Sequence, residues 1–291
     1  AYFEAVAARQ LIGYDEQVKD AADACADLAR RMVVAGNFST LDQMREQAFY
    51  ADAASQLARA RQLATARRER LTRLLGLSDS QANFQLPERL PDLPGQIVPP
   101  GDAEQTAMDK RLDVLLAKRD AEIAARSLGL TNATRWINAL DAGYQDKSQT
   151  GTPDENGFQV QVQLPLFDAG GAQGARAQAK YMQAVNRTAE VAVNARSEVR
   201  ESYAAYRTTY DLAKHYRDEV VPLHKRIADE NLLRYNGMLI GVFELMADAR
   251  EQVTAVTGYV EALRDYWIAD TSLQTALTGR SPDAGSTPPA M

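Results

Sequence analysis

The chain has 291 residues, 45% apolar and 25% charged, with a formal charge of −6. That balance is too apolar for disorder throughout, and its interspersed acids and bases give no basis for binding nucleic acid. No run of about 18 apolar residues is present, so no helix is expected to cross a membrane, and a single cysteine, Cys25, rules out an internal disulfide.

Residues 1–35 carry apolar positions at alternating steps of four and three: Ala7, Leu11, Tyr14, Val18, Ala21, Cys25, Leu28, Met32 and Ala35. That spacing predicts a helix with a coiled-coil seam, in which Cys25 is a small packed residue. Gly36-Asn37-Phe38-Ser39-Thr40 breaks the pattern, with Gly36 suited to a helix stop and Ser39 or Thr40 to the next cap. Residues 41–77 are helical again, making an antiparallel hairpin of 1–77. From 78 to about 102 the prolines at 87, 91, 94, 99 and 100 predict an extended linker. A shorter helix follows over about 103–127, within a segment taken to 131.

Two strand candidates come next. In 132–147, Trp136, Asn138, Leu140, Ala142 and Tyr144 share one face, with aromatic residues at both ends. Eight such residues span roughly 26 Å, close to the ~25 Å apolar band of an outer-membrane barrel. In GFQVQVQLPLF, Phe158, Val160, Val162, Leu164 and Leu166 alternate with Gln159, Gln161 and Gln163. The polar stretch 148–157 joins the two strands, so 132–168 reads as one hairpin. A very long helix then runs over about 172–235, on the order of 95 Å. Its seam is Val185, Ala189, Ala192, Arg196, Val199, Tyr203, Tyr206, Tyr210, Ala213, Arg217 and Val220, and Pro222 should kink it. Asn236-Gly237 ends it, a returning helix covers about 242–278, and a disordered tail closes the chain from about 280.

The halves resemble each other. Tyr2 in AYFEAV matches Tyr203 in SYAAYR, and Gly36 matches Gly237, both at an offset of 201. The LLG at Gly76 matches the LTG at Gly279 at 203, the small drift that duplication leaves. The hairpin at 132–168 then needs a counterpart upstream of residue 1, so the chain is expected to lack roughly the first 70–100 residues of a longer protein.

A two-stranded hairpin is marginal in water and leaves unsatisfied edges in lipid. Barrels need about eight strands, so a membrane role for 132–168 requires a homo-oligomer. AYFEAV, the two glycine turns, LPLFDAGG and the closing ALTG resemble the TolC-type outer-membrane efflux protein family over residues 1 to about 279. The resemblance implies a mainly α protein with a β-hairpin: a homotrimer with a twelve-stranded transmembrane β-barrel, continued by an α-helical barrel of antiparallel coiled coils through the periplasm of a Gram-negative bacterium. Such a protein is a passive channel in the outer-membrane lipid, partnered by a periplasmic adaptor (membrane fusion) protein and an inner-membrane pump. It implies no enzyme activity and no cofactor.

Carried over by position, the adaptor-contact tips are Ala35–Thr40 and Asn236–Gly241, with Gly36, Asn37, Phe38, Gly237, Met238 and Leu239 at their ends. Asp42 and Glu244 follow the tips and are candidates for a pore constriction. The family's second acidic ring falls nearest Ala247, with Asp248 one place on. A ring of like charge favours cations in a narrow pore; Asp42 and Glu244 are equally read as acids in the first turn of a helix, where its dipole favours them. Gln159, Gln161 and Gln163 would line the barrel lumen, and Trp136, Tyr144, Val160, Val162 and Leu164 would face the membrane. MLIGVFELMADAREQ resembles the heavy-metal-efflux side of the family, but no metal site supports that. His215 and His224 lie nine residues apart, outside the spacing that puts two ligands on one helical face. Tyr203, Tyr206 and Tyr210 read as packing, and no nucleophile–base pair or phosphate loop is present. The competing reading is a soluble periplasmic coiled-coil adaptor or scaffold in which 132–168 is a small sheet.

Overall fold

The computed structural model describes residues 1–78, 81, 83–97, 101, 103–134, 139–147, 155–163 and 171–279. In chain order the elements are α1 (Tyr2–Val34), α2 (Thr40–Leu75), α3 (Ala103–Lys110), α4 (Leu112–Thr134), β1 (Ala139–Lys147), β2 (Glu155–Gln163), α5 (Gly171–His215), α6 (Val221–Asn236) and α7 (Val242–Thr278). The chain forms two compact units, Ala1–Pro99 with Ser202–Leu273, and Pro100–Glu201 with Gln274–Met291.

In the first unit α1 and α2 form the expected antiparallel pair, pinned in register by Arg61 to Glu16 at 2.7 Å and by Arg67 and Arg70 to Glu4 at 3.2 and 3.4 Å. Along this pair the buried positions are mostly small: Ala22, Cys25, Ala26, Ala29 and Ala53 are buried, with Leu57. Small side chains let helix axes approach closely. Cys25 is packed as expected, and burial pushes its thiol up from the ordinary value. The expected seam is displaced, however: Ala21 and Leu28 are exposed while their neighbours Ala22 and Ala29 are buried.

The proline-rich stretch is extended but is not a free tether. In LPERLPDLP each leucine precedes a proline, which holds it out of the helical region, and Leu86, Leu90 and Leu93 are all buried. Prolines also remove amide donors, so the segment presents mainly carbonyls, and side chains of the helices donate to them. Arg9 reaches Leu86 O, Arg68 reaches Phe84 O, Trp267 Nε1 reaches Pro91 O at 3.0 Å, and Arg217 reaches Leu93 O at 3.5 Å. Tyr210 Oη donates to Pro94 O and Gly95 O at 3.1 and 3.0 Å. Beside this strap Tyr206, Tyr210 and Tyr266 cluster, with Tyr266 5.5 and 5.7 Å from the other two ring centroids and its hydroxyl 3.4 Å from that of Tyr206.

The long helix is not continuous. Tyr216–Val220 is a π-turn, and Val221 N–H donates to Tyr216 O five residues back. Pro222 then starts α6 at its first turn. The kink expected at Pro222 is thus a widened turn just before it. In a regular helix the proline ring would clash with the carbonyl four residues earlier.

In the second unit the helix expected over 103–127 is two helices, and α4 extends through Thr134 into the region expected to begin a strand. Leu112 N–H explains the break, because it bonds Gly279 O at 3.1 Å instead of continuing α3. Lys118 Nζ takes the freed Met108 carbonyl at 2.9 Å, and Asp113 Oδ1 caps Val114 N at 2.8 Å. Arg111, buried at the break, pairs with Asp113 at 2.9 Å and with Glu198, and its Nη1 donates to Ala276 O at 3.4 Å. Ala107, Val199 and Ala276 pack together alongside, as do Met108, Val114 and Ala195. Ala195 is therefore the buried residue where Arg196 was expected on the seam; Arg196 is exposed. β1 and β2 pair antiparallel, with Leu140 opposite Val162, Ala142 opposite Val160 and Tyr144 opposite Phe158. The strands end at Lys147 and Gln163; Trp136, Asn138, Leu164, Leu166 and most of LPLFDAGG lie outside the described residues, as does the tail.

Arg111→Met should lower stability by about 3 kcal/mol, because it removes the cation that two carboxylates share in a largely buried site. Arg111→Lys should recover only part of this, since an ammonium lacks the guanidinium fork; denaturant midpoints measure both. Burial and the Tyr206 hydroxyl hold the Tyr266 hydroxyl well above its ordinary value of 10.0. The unfolded chain ionises there first, so this contribution to stability is whole below about pH 10 and is lost above it, by up to about 1.4 kcal/mol per pH unit. Tyr266→Phe should flatten the fall in unfolding free energy between about pH 9 and pH 11.

Candidate functional site: the two hairpin tips

The two helix-to-helix turns of the first unit are built alike. At the first, Ala35 N–H donates to Arg31 O, Gly36 N–H to Val33 O and Asn37 N–H to Met32 O. At the second, Gly237 N–H donates to Leu233 O, Met238 N–H to Tyr235 O and Leu239 N–H to Arg234 O. Every donor and acceptor is displaced by 202 residues, and Gln43 N to Ser39 O repeats as Leu245 N to Gly241 O. This is a Schellman-type stop, which requires one left-handed residue. At the first tip that residue is Gly36, φ 77°; at the second it is Met238, φ 59°, while Gly237 has φ −80°. The sequence match of Gly36 with Gly237 is therefore off by one.

With the offset set at 202, Asp42 and Glu244 occupy the same position of their helices. Their surroundings differ. Ser39 Oγ accepts from Asp42 N at 3.1 Å and donates to Asp42 Oδ2 at 2.6 Å, and Arg45 lies 2.9 Å from Asp42 Oδ1. Asp42 is thus engaged by a capping residue and a neighbouring cation. Ser39 is replaced by Gly241, which has no side chain to cap with, and Glu244 is exposed. Asp248 accepts a hydrogen bond from Asn231, tying α7 to α6. Its counterpart is Glu46, which pairs with Arg250 at 2.7 Å.

The structure also brings together residues that spacing alone did not show. Phe38 stacks on Phe243 with ring centroids 4.4 Å apart, joining the two tips. Arg250, besides pairing Glu46, lies over the Phe49 ring at 3.5 Å from its centroid. An aromatic at each tip was the only available signal for the first contact; the second joins residues 204 apart and had none. The tip ends are apolar and open to solvent: Met238 is 93% and Leu239 77% exposed. Gly36 and Asn37 are exposed and Phe38 is half-buried.

The barrel candidates lie on the hairpin of the second unit. Gln159, Gln161 and Gln163 sit on β2 opposite Gly143, Asp141 and Ala139. Val160 and Val162 alternate with them along the strand, and Tyr144 on β1 is 60% exposed. Among the described residues no helix is long and apolar enough to cross a membrane, and no group of three or more His, Cys, Asp or Glu could hold a metal ion.

Compared with known proteins, the chain matches no family model and no curated protein sequence. Its likeness is to solved structures of membrane proteins. It superposes on a membrane protein from Pseudomonas aeruginosa with a TM-score of 0.79 at 20% identity, covering 95% of this chain and 66% of that one. It superposes on the Campylobacter jejuni CmeC outer membrane channel with a TM-score of 0.79 at 14% identity, covering 96% of this chain and 61% of that one. The Vibrio cholerae outer membrane protein VceC gives 0.71 at 17%, covering 96% and 67%. The chain has the fold of these membrane proteins, the fold that its sequence resemblance implied, and spans about two thirds of their length.

A side chain in the left-handed region costs roughly 1 kcal/mol, which glycine avoids. Met238→Gly should therefore raise stability by up to about 1 kcal/mol. Gly36→Ala should lower it by a similar amount, and through backbone strain alone, since no atom lies within 4 Å of the added methyl. Urea midpoints with unchanged slopes would verify both.

Proposed function

We propose that the chain is the channel component of an export system, a passive duct through the outer membrane and periplasm of a Gram-negative bacterium. The observation that carries this is the pair of equivalent tips, each placing a carboxylate at the same helical position, on the fold of outer-membrane channels. Repeated around a symmetry axis, Asp42 and Glu244 would gather negative charge at one level of a pore and favour cations. Asp248, bonded to Asn231, would act more through holding the α6/α7 hairpin than as a free charge.

The remaining assignments follow the same reading. β1 and β2 leave two open edges, so they would join strands from other copies to close a barrel in outer-membrane lipid. Val160, Val162 and Tyr144, with Trp136 and Leu164, would face lipid; the three glutamines would face the lumen. Homotrimerisation would supply the copies. The tips around Gly36–Phe38 and Gly237–Leu239 would meet a periplasmic adaptor that links the channel to an inner-membrane pump. Residues 1–77 and 169–279 would be the periplasmic helical hairpins, 78–102 the proline-rich linker, 103–131 the helix of the second repeat and 132–168 the membrane hairpin.

Protein expressed from its whole reading frame should fractionate with outer membranes and run as a trimer in detergent. In planar bilayers, Asp42→Asn with Glu244→Gln should lower the preference for cations over anions several-fold without closing the channel. A monomer recovered from the soluble periplasm would instead indicate an adaptor or scaffold.

A further inference from the structure

The two halves of the first unit keep different residue counts above and below one point. Along α6, both tips and α7 the offset is 202. Buried Ala22, Ala26 and Ala29 match His224, Ala228 and Asn231, each half-buried on α6. Buried Ala53 and Leu71 match buried Ala255 and Leu273. Above, the offset is 201. Tyr2 matches Tyr203, buried Ala5 matches buried Tyr206, and Arg9 matches Tyr210, each of which donates to a carbonyl of the proline-rich strap. Between Tyr210 and His224, then, the second half contains one residue more than the first.

Among the described residues of α5 and α6, the single departure from α-helical bonding falls in that interval: the π-turn Tyr216–Val220. Closing at i+5, a π-turn holds one residue more than an α-turn. We propose that this turn houses a one-residue insertion in the second half of the duplicated hairpin, and that by absorbing it the turn keeps both α5 above and α6 below in register with α7. Two features hold the extra residue at this place. The Tyr216 ring lies so close to α7 that a methyl on Gly258 would sit 2.7 Å from its Cε1; the first half has Gln56 at the position matching Gly258. Pro222, which cannot donate an amide, sets the lower boundary.

Pro222 alone could favour a widened turn, so the test removes it. In a Pro222→Ala background, deleting Glu219, an exposed residue paired only with His215 at 3.2 Å, should turn the π-turn into plain α-helix. The melting temperature should stay within about 3 °C of the Pro222→Ala parent. Deleting Gln17 from α1, which has no such turn, should lower it by about 8 °C or more. Register is read separately in a Cys25→Ala background by oxidising the pair Asn231→Cys and Asp248→Cys, whose native side chains are hydrogen-bonded. The cross-link should form with and without Glu219 at rates within about threefold of each other. A Glu219 deletion that melts as low as the Gln17 deletion, fails to fold, or loses the cross-link would overturn the proposal.

Discussion

A segment rich in proline offers carbonyls and few amides, and the first unit is organised around that imbalance. Strand pairing needs alternating donors and acceptors, so the strap cannot pair with another strand along its length. Most of its partners are side-chain donors, contributed by α1, α2, the lower part of α5, the π-turn and α7, while its Leu90 amide donates to Gln10 Oε1 at 3.0 Å. The buried positions of α1 are mainly alanine, which buries little apolar area per residue. The strap adds three buried leucines and a set of hydrogen bonds that cross between the two halves of the repeat. It thereby holds together α1 and α5, which share no helical hairpin.

The two tips share one backbone geometry and differ in the side chains placed on it. All four tip hydrogen bonds, including the first bond of each returning helix, recur at one offset, so the backbone solution is conserved between the halves. The side chains on it have diverged. One tip has glycine at the left-handed position, a serine cap and a paired aspartate. The other has a methionine at that position, a glycine where the serine was and an exposed glutamate. The same geometry therefore presents one capped and paired carboxylate and one exposed carboxylate.

Much of this was legible in the sequence, because helix stops, proline segments and strand alternation are local signals. The α1/α2 hairpin, the return through α7 and the opposed alternation of Leu140, Ala142 and Tyr144 with Val162, Val160 and Phe158 all rest on such signals. Local reading failed where a distant group decided the outcome. The break at Arg111 depends on Gly279 accepting the Leu112 amide, and nothing near residue 111 signals it. The off-by-one match of the tips arose because glycine at 237 looked like the left-handed residue, while the hydrogen bonds place that conformation on Met238. Of the candidate site, the position of the acids was readable; the Phe38–Phe243 stack and the Arg250–Glu46–Phe49 cluster needed three dimensions.

The chemistry of the strap has a consequence for how the protein can vary. Its acceptors are main-chain carbonyls, which every residue type supplies, whereas its donors are particular side chains. Substitution of the strap's exposed positions, Glu88, Arg89 and Asp92, leaves every one of those carbonyl acceptors in place. Loss of Arg9, Tyr210 or Trp267 removes a contact that no change on the strap can restore. Tolerance to mutation is therefore lopsided across a single interface: permissive on the irregular segment, strict on the regular helices, the reverse of the usual expectation for a surface loop.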